Sequence, residues 1–186
     1  MVRPRTGGVP AAGLPGLPRL LVAARDRSAR PIPAGAGLLL HDLSLLDLVR
    51  LSARPAQTLA VDLDSIEGLA ADEAAIEFLA ARLGITVVIT RRPGLAARAP
   101  DHGCLSLLHV HCLDSTGLDR ALAAHPGAPV GTAVSPGLVL AHLSAAQRRR
   151  LHPPVLAYGL IRHREEREAA VAAGADGVVV ESENDS

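Results

Sequence analysis

The chain has 186 residues, enough for one domain with a sizeable core. Hydrophobic residues make up 48% and charged residues 20%, and a formal net charge of zero excludes a globally basic nucleic-acid binder, so any such contact must be local. Aromatic residues are 1% and lysine is absent, which leaves a core of Leu, Val, Ile and Ala, arginine as the basic side chain, and almost no platform for stacking unpaired bases.

Residues 1–18 are rich in Gly and Pro and predict a disordered tail, with a single domain expected over residues 19–186. No apolar run reaches the roughly 18 residues needed to cross a membrane, and Pro10, Pro15 and Pro18 break up any signal-like segment. Two cysteines, Cys104 and Cys112, lack CxxC spacing, which points to reduced thiols in a cytoplasmic protein rather than a zinc ribbon or redox motif.

Residues 20–24 predict a first strand closed by Arg25-Asp26. Residues 37–40 predict a second ending at His41-Asp42, and residues 43–51 have helical periodicity. Residues 59–63 are a third β-favouring run ending in acidic residues. Asp72 or Asp64 can cap the helix that follows, on which Ala74, Ala75, Phe78, Leu79 and Leu83 share an apolar face and Gly84 is the stop. Residues 85–89 are a continuous apolar, β-branched run, as expected of a strand buried on both faces. Strand, helix and strand within about thirty residues form a βαβ unit, whose sheet is parallel.

The turn Thr90-Arg91-Arg92-Pro93-Gly94 leads to a short helix over residues 95–99 and a fifth strand over 104–113, ending at Asp114-Ser115. A helix over 118–124 precedes a sixth strand, 129–134, which ends at Ser135-Pro136-Gly137. Residues 139–151 read as one amphipathic helix whose basic end, Arg148-Arg149-Arg150, suits a helix C-terminus. A seventh strand over 154–158 runs into Gly159-Leu160-Ile161; a helix over 165–173 stops at Gly174, and an eighth strand spans 177–180. Eight β runs alternating with helical runs at roughly 20-residue spacing predict a small TIM-like (β/α)8 barrel without a full eighth helix, with function on the loops after the strands. The alternative is an open doubly wound sheet, against which the absence of GxGxxG after the first strand weighs.

Several residues at strand ends can carry chemistry. Gly159 allows main chain to approach an anion closely, in a loop position where such barrels often bind phosphate. Asp62 and Asp114 can accept hydrogen bonds from ligand hydroxyls or act as a base, and Arg91 can pair with a phosphate. His109 and His111 place two imidazoles on one side of a strand, half of a metal site, but no further ligands stand at a telling spacing, so no metal is expected. Arg148-Arg149-Arg150 and Arg162-His163-Arg164 are the basic clusters and can touch RNA phosphates or simply be solvated helix ends.

Val61-Asp62, Glu67-Gly68-Leu69, Asp72-Glu73 and Glu77-Phe78-Leu79 resemble the signature of the glycerol-3-phosphate responsive antiterminators. The likeness continues in order through Ile89-Thr90-Arg91, Leu113-Asp114-Ser115, Ser135-Pro136-Gly137, Gly159-Leu160-Ile161 and Ala173-Gly174-Ala175, with Ala24-Arg25-Asp26 matching the first strand. The resemblance implies a barrel that binds glycerol 3-phosphate and acts on the leader mRNA of glycerol-uptake genes, without enzymatic activity or cofactor, with a homodimer as the candidate assembly. On that footing Gly159, Leu160 and Ile161 hold the phosphate by main chain. Asp62, Arg91 and Asp114 line the same mouth, with Gly137 and Ser182 as further ligand-binding candidates after strands six and eight. The alternatives are a small barrel enzyme for a phosphorylated metabolite, with Asp62 or Asp114 as base, and a ligand-free scaffold. The chain departs from the family at Ala60 (usually His), His109 (Arg), Ala133 (Glu), Tyr158 (Gly) and Val180-Glu181 (Ser and Thr), a pattern concentrated at the ligand mouth.

Overall fold

A computed structural model describes residues 16–24, 32–53 and 58–181. Its strands are β1 (Leu20–Ala24), β2 (Gly37–Leu40), β3 (Leu59–Asp62), β4 (Val87–Thr90), β5 (Leu105–His111), β6 (Gly131–Ser135), β7 (Val155–Ala157) and β8 (Gly177–Glu181). They pair in parallel in chain order, and β8 returns to β1 to close the barrel. The expected (β/α)8-type fold is therefore present.

Alternation of side chains builds two cores from these short strands. Leu21, Leu39, Ala60, Val87, Leu107, Ala133, Leu156 and Val179 gather in one cluster that draws on all eight strands, which only the lumen of a closed barrel permits. Their neighbours, such as Leu38, Leu40, Val61 and Val88, face outward under the helices. Leu17 packs against the lumen cluster, and a Cβ on Gly177 would lie 2.7 Å from the Pro18 carbonyl oxygen, so residues 17 and 18 plug the lower end of the barrel. The expected tail thus gives way to packed structure by Leu17; residues 1–15 lie outside the described residues, as do Arg25 and Asp26.

Helices α1 (Leu45–Ser52), α2 (Glu73–Leu83), α3 (Pro93–Arg98), α4 (Ser115–Ala123), α5 (Ala145–Arg148) and α6 (Arg164–Ala172) cover the outer faces. Of the two carboxylates that can cap α2, Asp72 does so, its Oδ1 accepting from the Ala75 N–H at 2.9 Å, and Gly84 ends the helix in the left-handed region at φ 67°. The single helix expected over residues 139–151 is instead a 3-10 segment, Gly137–His142, followed by the one-turn α5. Leu143 and Ser144 between them are extended, and Ser144 and Gln147 form a reciprocal capping box that starts a new helix there. No helix follows β8 among the described residues, and none of the helices is long and apolar enough to cross a membrane.

Gly131 is required by close approach rather than by φ. A Cβ on Gly131 would meet the Pro154 carbonyl oxygen of the neighbouring strand and come within 2.6 Å of Leu107 Cδ2 in the lumen. The Gly131→Ala substitution therefore destabilises the protein by about 3 kcal/mol, the upper range for overpacking, because the obstacle includes backbone. Urea denaturation of the two proteins measures it.

Candidate functional site

The barrel topology brings every strand's C-terminal end to one mouth, where a cavity of about 390 Å³ opens, a size suited to a small metabolite. Asp62, at the end of β3, lies in its wall and is only 6% exposed. Its Oδ2 accepts a hydrogen bond from the Tyr158 hydroxyl at 3.2 Å and sits 3.6 Å from His109 Nδ1, too far for a hydrogen bond. Asp62 Oδ1 and His109 Nδ1 are both buried with no hydrogen-bond partner among the described residues. Two orphaned polar atoms on neighbouring side chains of a cavity wall are costly unless something else satisfies them.

β5 and β6 supply the adjoining wall. His109 Nε2 lies 2.8 Å from Ser135 Oγ, which is also 3.2 Å from His111 Nδ1. The Ser135 hydroxyl has one proton, so it donates to one ring and accepts from the other, ordering both imidazoles. The Tyr158 ring stands 4.9 Å from the His109 ring and meets His41 edge-on at 6.0 Å, so this side chain spans the mouth. Beneath it the lumen holds Ala60 and Ala133, whose small side chains leave room for the ring.

The β4 side is held by Asp64. It accepts from the Thr90 hydroxyl at 2.9 Å, the Arg91 N–H at 2.6 Å and the Arg92 Nε at 3.1 Å. Its carboxylate is also 3.8 Å from the Arg91 guanidinium, which this contact positions at the cavity. On the β7 side, Gly159 and Leu160 are consecutive residues in the left-handed region, at φ 80° and 59°. For Leu160 that is a strained conformation. The main-chain N–H groups of Gly159, Leu160 and Ile161 have no acceptor among the described residues.

Of the residues singled out in the sequence, Asp62, Arg91 and Gly159 meet at the cavity. Leu160 is half exposed beside it, while the Ile161 side chain is fully buried in the outer core and anchors the loop. Gly137 braces that loop from below, its N–H directed at the Tyr158 and Gly159 carbonyls at 2.9 and 3.0 Å. Asp114 is not brought to the cavity: it caps α4, accepting from the Gly117 N–H at 2.6 Å. Ser182 lies outside the described residues. Sequence reasoning passed over His41 and the binding use of His109, His111 and Ser135, and weighed Asp64 only as a cap. The strand-end rule that selected Asp62 also covers His41 and Ser135. No group of three or more His, Cys, Asp or Glu among the described residues is placed to hold a metal ion.

Burial and the nearby Asp64 charge push the Asp62 carboxyl up to about 6, against the Tyr158 hydrogen bond and Arg91. Burial, with His111 and Arg91 adding repulsion, pushes His109 down to about 3. Near neutral pH the wall therefore pairs an ionised, under-solvated carboxylate with a neutral imidazole.

A family model described as glycerol-3-phosphate responsive antiterminator matches residues 37–184. The chain belongs to this family. Among solved structures, a glycerol uptake operon antiterminator regulatory protein from Listeria monocytogenes superposes with a TM-score of 0.72 at 20% identity, covering 89% of this chain and 92% of its own. A glycerol uptake operon antiterminator-related protein from Thermotoga maritima gives a TM-score of 0.69 at 22% identity, covering 89% and 94%. Deoxyribose phosphate aldolase from Aeropyrum pernix gives 0.56 at 16%, covering 77% and 72%. At these identities each structural likeness shows the fold. No curated protein matches the chain significantly.

The Asp62 shift makes a stability prediction. Its folded-state pKa, about 6, lies above the unfolded value of 3.8, so folding favours the protonated acid; that stability is complete below 3.8 and lost as pH rises through 6. Asp62→Asn removes the ionisation, so the ligand-free variant gains on the natural protein from pH 4 to 6 and holds an advantage of about 2–3 kcal/mol above pH 7. Thermal unfolding of both proteins across this range gives the difference directly, without the opposing contribution of His109.

Proposed function

We propose that this member of the family is a cytoplasmic, glycerol-3-phosphate responsive antiterminator that acts on leader mRNA of glycerol-uptake genes. The observation that carries the ligand is the division of polar groups within one cavity. Deep in the wall, Asp62 Oδ1 and His109 Nδ1 lack partners, which suits the hydroxyls of a polyol. At the rim, Gly159, Leu160 and Ile161 offer unpaired N–H groups and Arg91 a guanidinium, which suit a phosphate. A polyol monophosphate spans the two sets. Tyr158 narrows the passage between them, and its hydroxyl shares Asp62 with the ligand.

The second reading is a barrel enzyme, and one observation favours it: a carboxyl near pKa 6 at Asp62 is well matched to general-base catalysis. Two others count against a reactive centre. Although Ser135, His109 and Asp62 stand in the order nucleophile, base and orienter, a His109 held near 3 is a weak base. The chain also has no lysine with which to form a Schiff base.

Calorimetric titration tests the choice. Glycerol 3-phosphate binds saturably, inorganic phosphate and glycerol each bind far more weakly, and NMR of the mixture shows the ligand returned unchanged. Gly159→Asp puts a carboxylate on the phosphate loop, in a backbone conformation that Asp tolerates better than most residues. It weakens binding by at least tenfold while the unfolding midpoint stays within a few degrees. Turnover of the ligand, or equal binding by Gly159→Asp, counts against the sensor.

A further inference from the structure

Zero net charge conceals an uneven distribution. From Arg120 to Arg164 the chain carries six arginines and four histidines, and not one of its 19 carboxylates. Folding keeps this segment together as one sector: the end of α4, β6, the 3-10 segment, α5, β7 and the start of α6. β6 pairs with β7, and α6 packs on the 3-10 segment. The ion pair between Arg150 and Asp119 ties the end of α5 to α4, the helix that carries Arg120, while Arg148 and Arg149 directly precede Arg150. Arg120, Arg148 and Arg149 are exposed and form no ion pair among the described residues. Arg162 is likewise exposed, three residues beyond the Gly159 that borders the cavity. Arg164 is offset by Glu168 at 2.7 Å, which marks the boundary where the acidic face of α6 begins.

Unneutralised guanidinium groups along one face are complementary to a polyanion. The chemistry of the surface narrows the type. The chain's single Phe and single Tyr are both occupied elsewhere, Phe78 against the core and Tyr158 in the cavity, and His125 and His152 stack on each other, which leaves only the imidazoles of His142 and His163 exposed on this face and no large ring to stack an unpaired base. Recognition then runs mainly through phosphates, which a base-paired stem presents at regular spacing. A membrane surface fits less well. Of the exposed large apolar side chains among the described residues, only Leu160 falls in this segment, too little for an inserted anchor.

We propose that the β6–β7 sector is the RNA-docking face and that it grips the phosphates of a double-helical stem. The RNA itself rests on the antiterminator reading above; its location and the paired form rest on the charge and the missing aromatics.

The test is fluorescence anisotropy on the full chain at 50 mM salt and above. The probes are a labelled RNA hairpin with about one and a half turns of stem, an oligouridylate of equal phosphate count, and phosphatidylserine vesicles as competitor. The hairpin binds more tightly than the oligouridylate. The triple variant Arg120→Ala, Arg148→Ala, Arg149→Ala weakens hairpin binding at least tenfold and lowers the slope of log K against log salt by about 2–3. Arg162→Gln weakens it less, while Arg50→Ala with Arg82→Ala, on the opposite side of the chain's charge map, changes nothing. Thermal midpoints confirm that all variants fold. The docking face is overturned if the triple variant keeps natural affinity and slope, or if the control pair loses as much. Equal or tighter binding of oligouridylate overturns the paired stem, and competition by vesicles in place of RNA binding overturns the nucleic-acid partner. Arginine-dependent hairpin binding by a protein that ignores glycerol 3-phosphate in calorimetry keeps the docking face and removes the sensor.

Discussion

Pairing of β8 with β1, from Leu20 opposite Val178 to Ala23 opposite Glu181, turns eight short strands into a sheet with no edge. Strands of three to seven residues could not stand as an open sheet without exposing main-chain donors and acceptors. Closure satisfies them all around and makes a lumen into which every second residue must point. It also fixes polarity, because parallel pairing sends all eight C-terminal ends to one mouth. The cavity with Asp62, Arg91, His109 and Gly159 is a direct consequence.

Packing of that lumen decides the shape of the site. Large side chains such as Leu21, Leu39, Ile89 and Leu107 fill the interior below the mouth. Ala60 and Ala133 do not fill their share, and Tyr158 takes up the difference from the β7 side. Residues 60, 133 and 158 thus act together: two small residues inside the barrel and one large residue at its rim. Its effect is to set a phenol hydroxyl against the Asp62 carboxylate.

The polar wall is destabilising by itself, as sites built for ligands often are. An Asp whose ionisation the fold resists sits beside a His whose protonation the fold resists, each with an atom lacking a partner. On the proposed reading, ligand hydroxyls would relieve both, and a share of the binding energy would come from pairing these two atoms. The outer surface follows a separate logic. Residues 120–164 carry arginines and no carboxylate, whereas the stretches on either side of this segment, 37–119 and 165–186, carry more carboxylates than arginines.

Strand periodicity, glycine stops and acidic strand ends were local properties, and they determined the eight strands, the parallel sheet and the placement of Asp62, Arg91 and Gly159 at strand ends, where they line one cavity. Helix breaks were less legible: the amphipathic pattern across residues 139–151 persists through Ser144, but the capping box there divides the segment. The fate of Asp114 and Asp64 was likewise undecidable, since a carboxylate after a strand can cap its own helix, as Asp114 does, or reach across to the next loop, as Asp64 does. The Ser135 link between His109 and His111, the bond from Tyr158 to Asp62 across 96 positions, and the ion pair of Arg150 with Asp119 belong to the tertiary structure alone. Periodicity reports which way a side chain points on its own element. It carries no information about which distant side chain closure of the barrel sets opposite, and that choice decides which polar atoms are paired and which are left for a ligand.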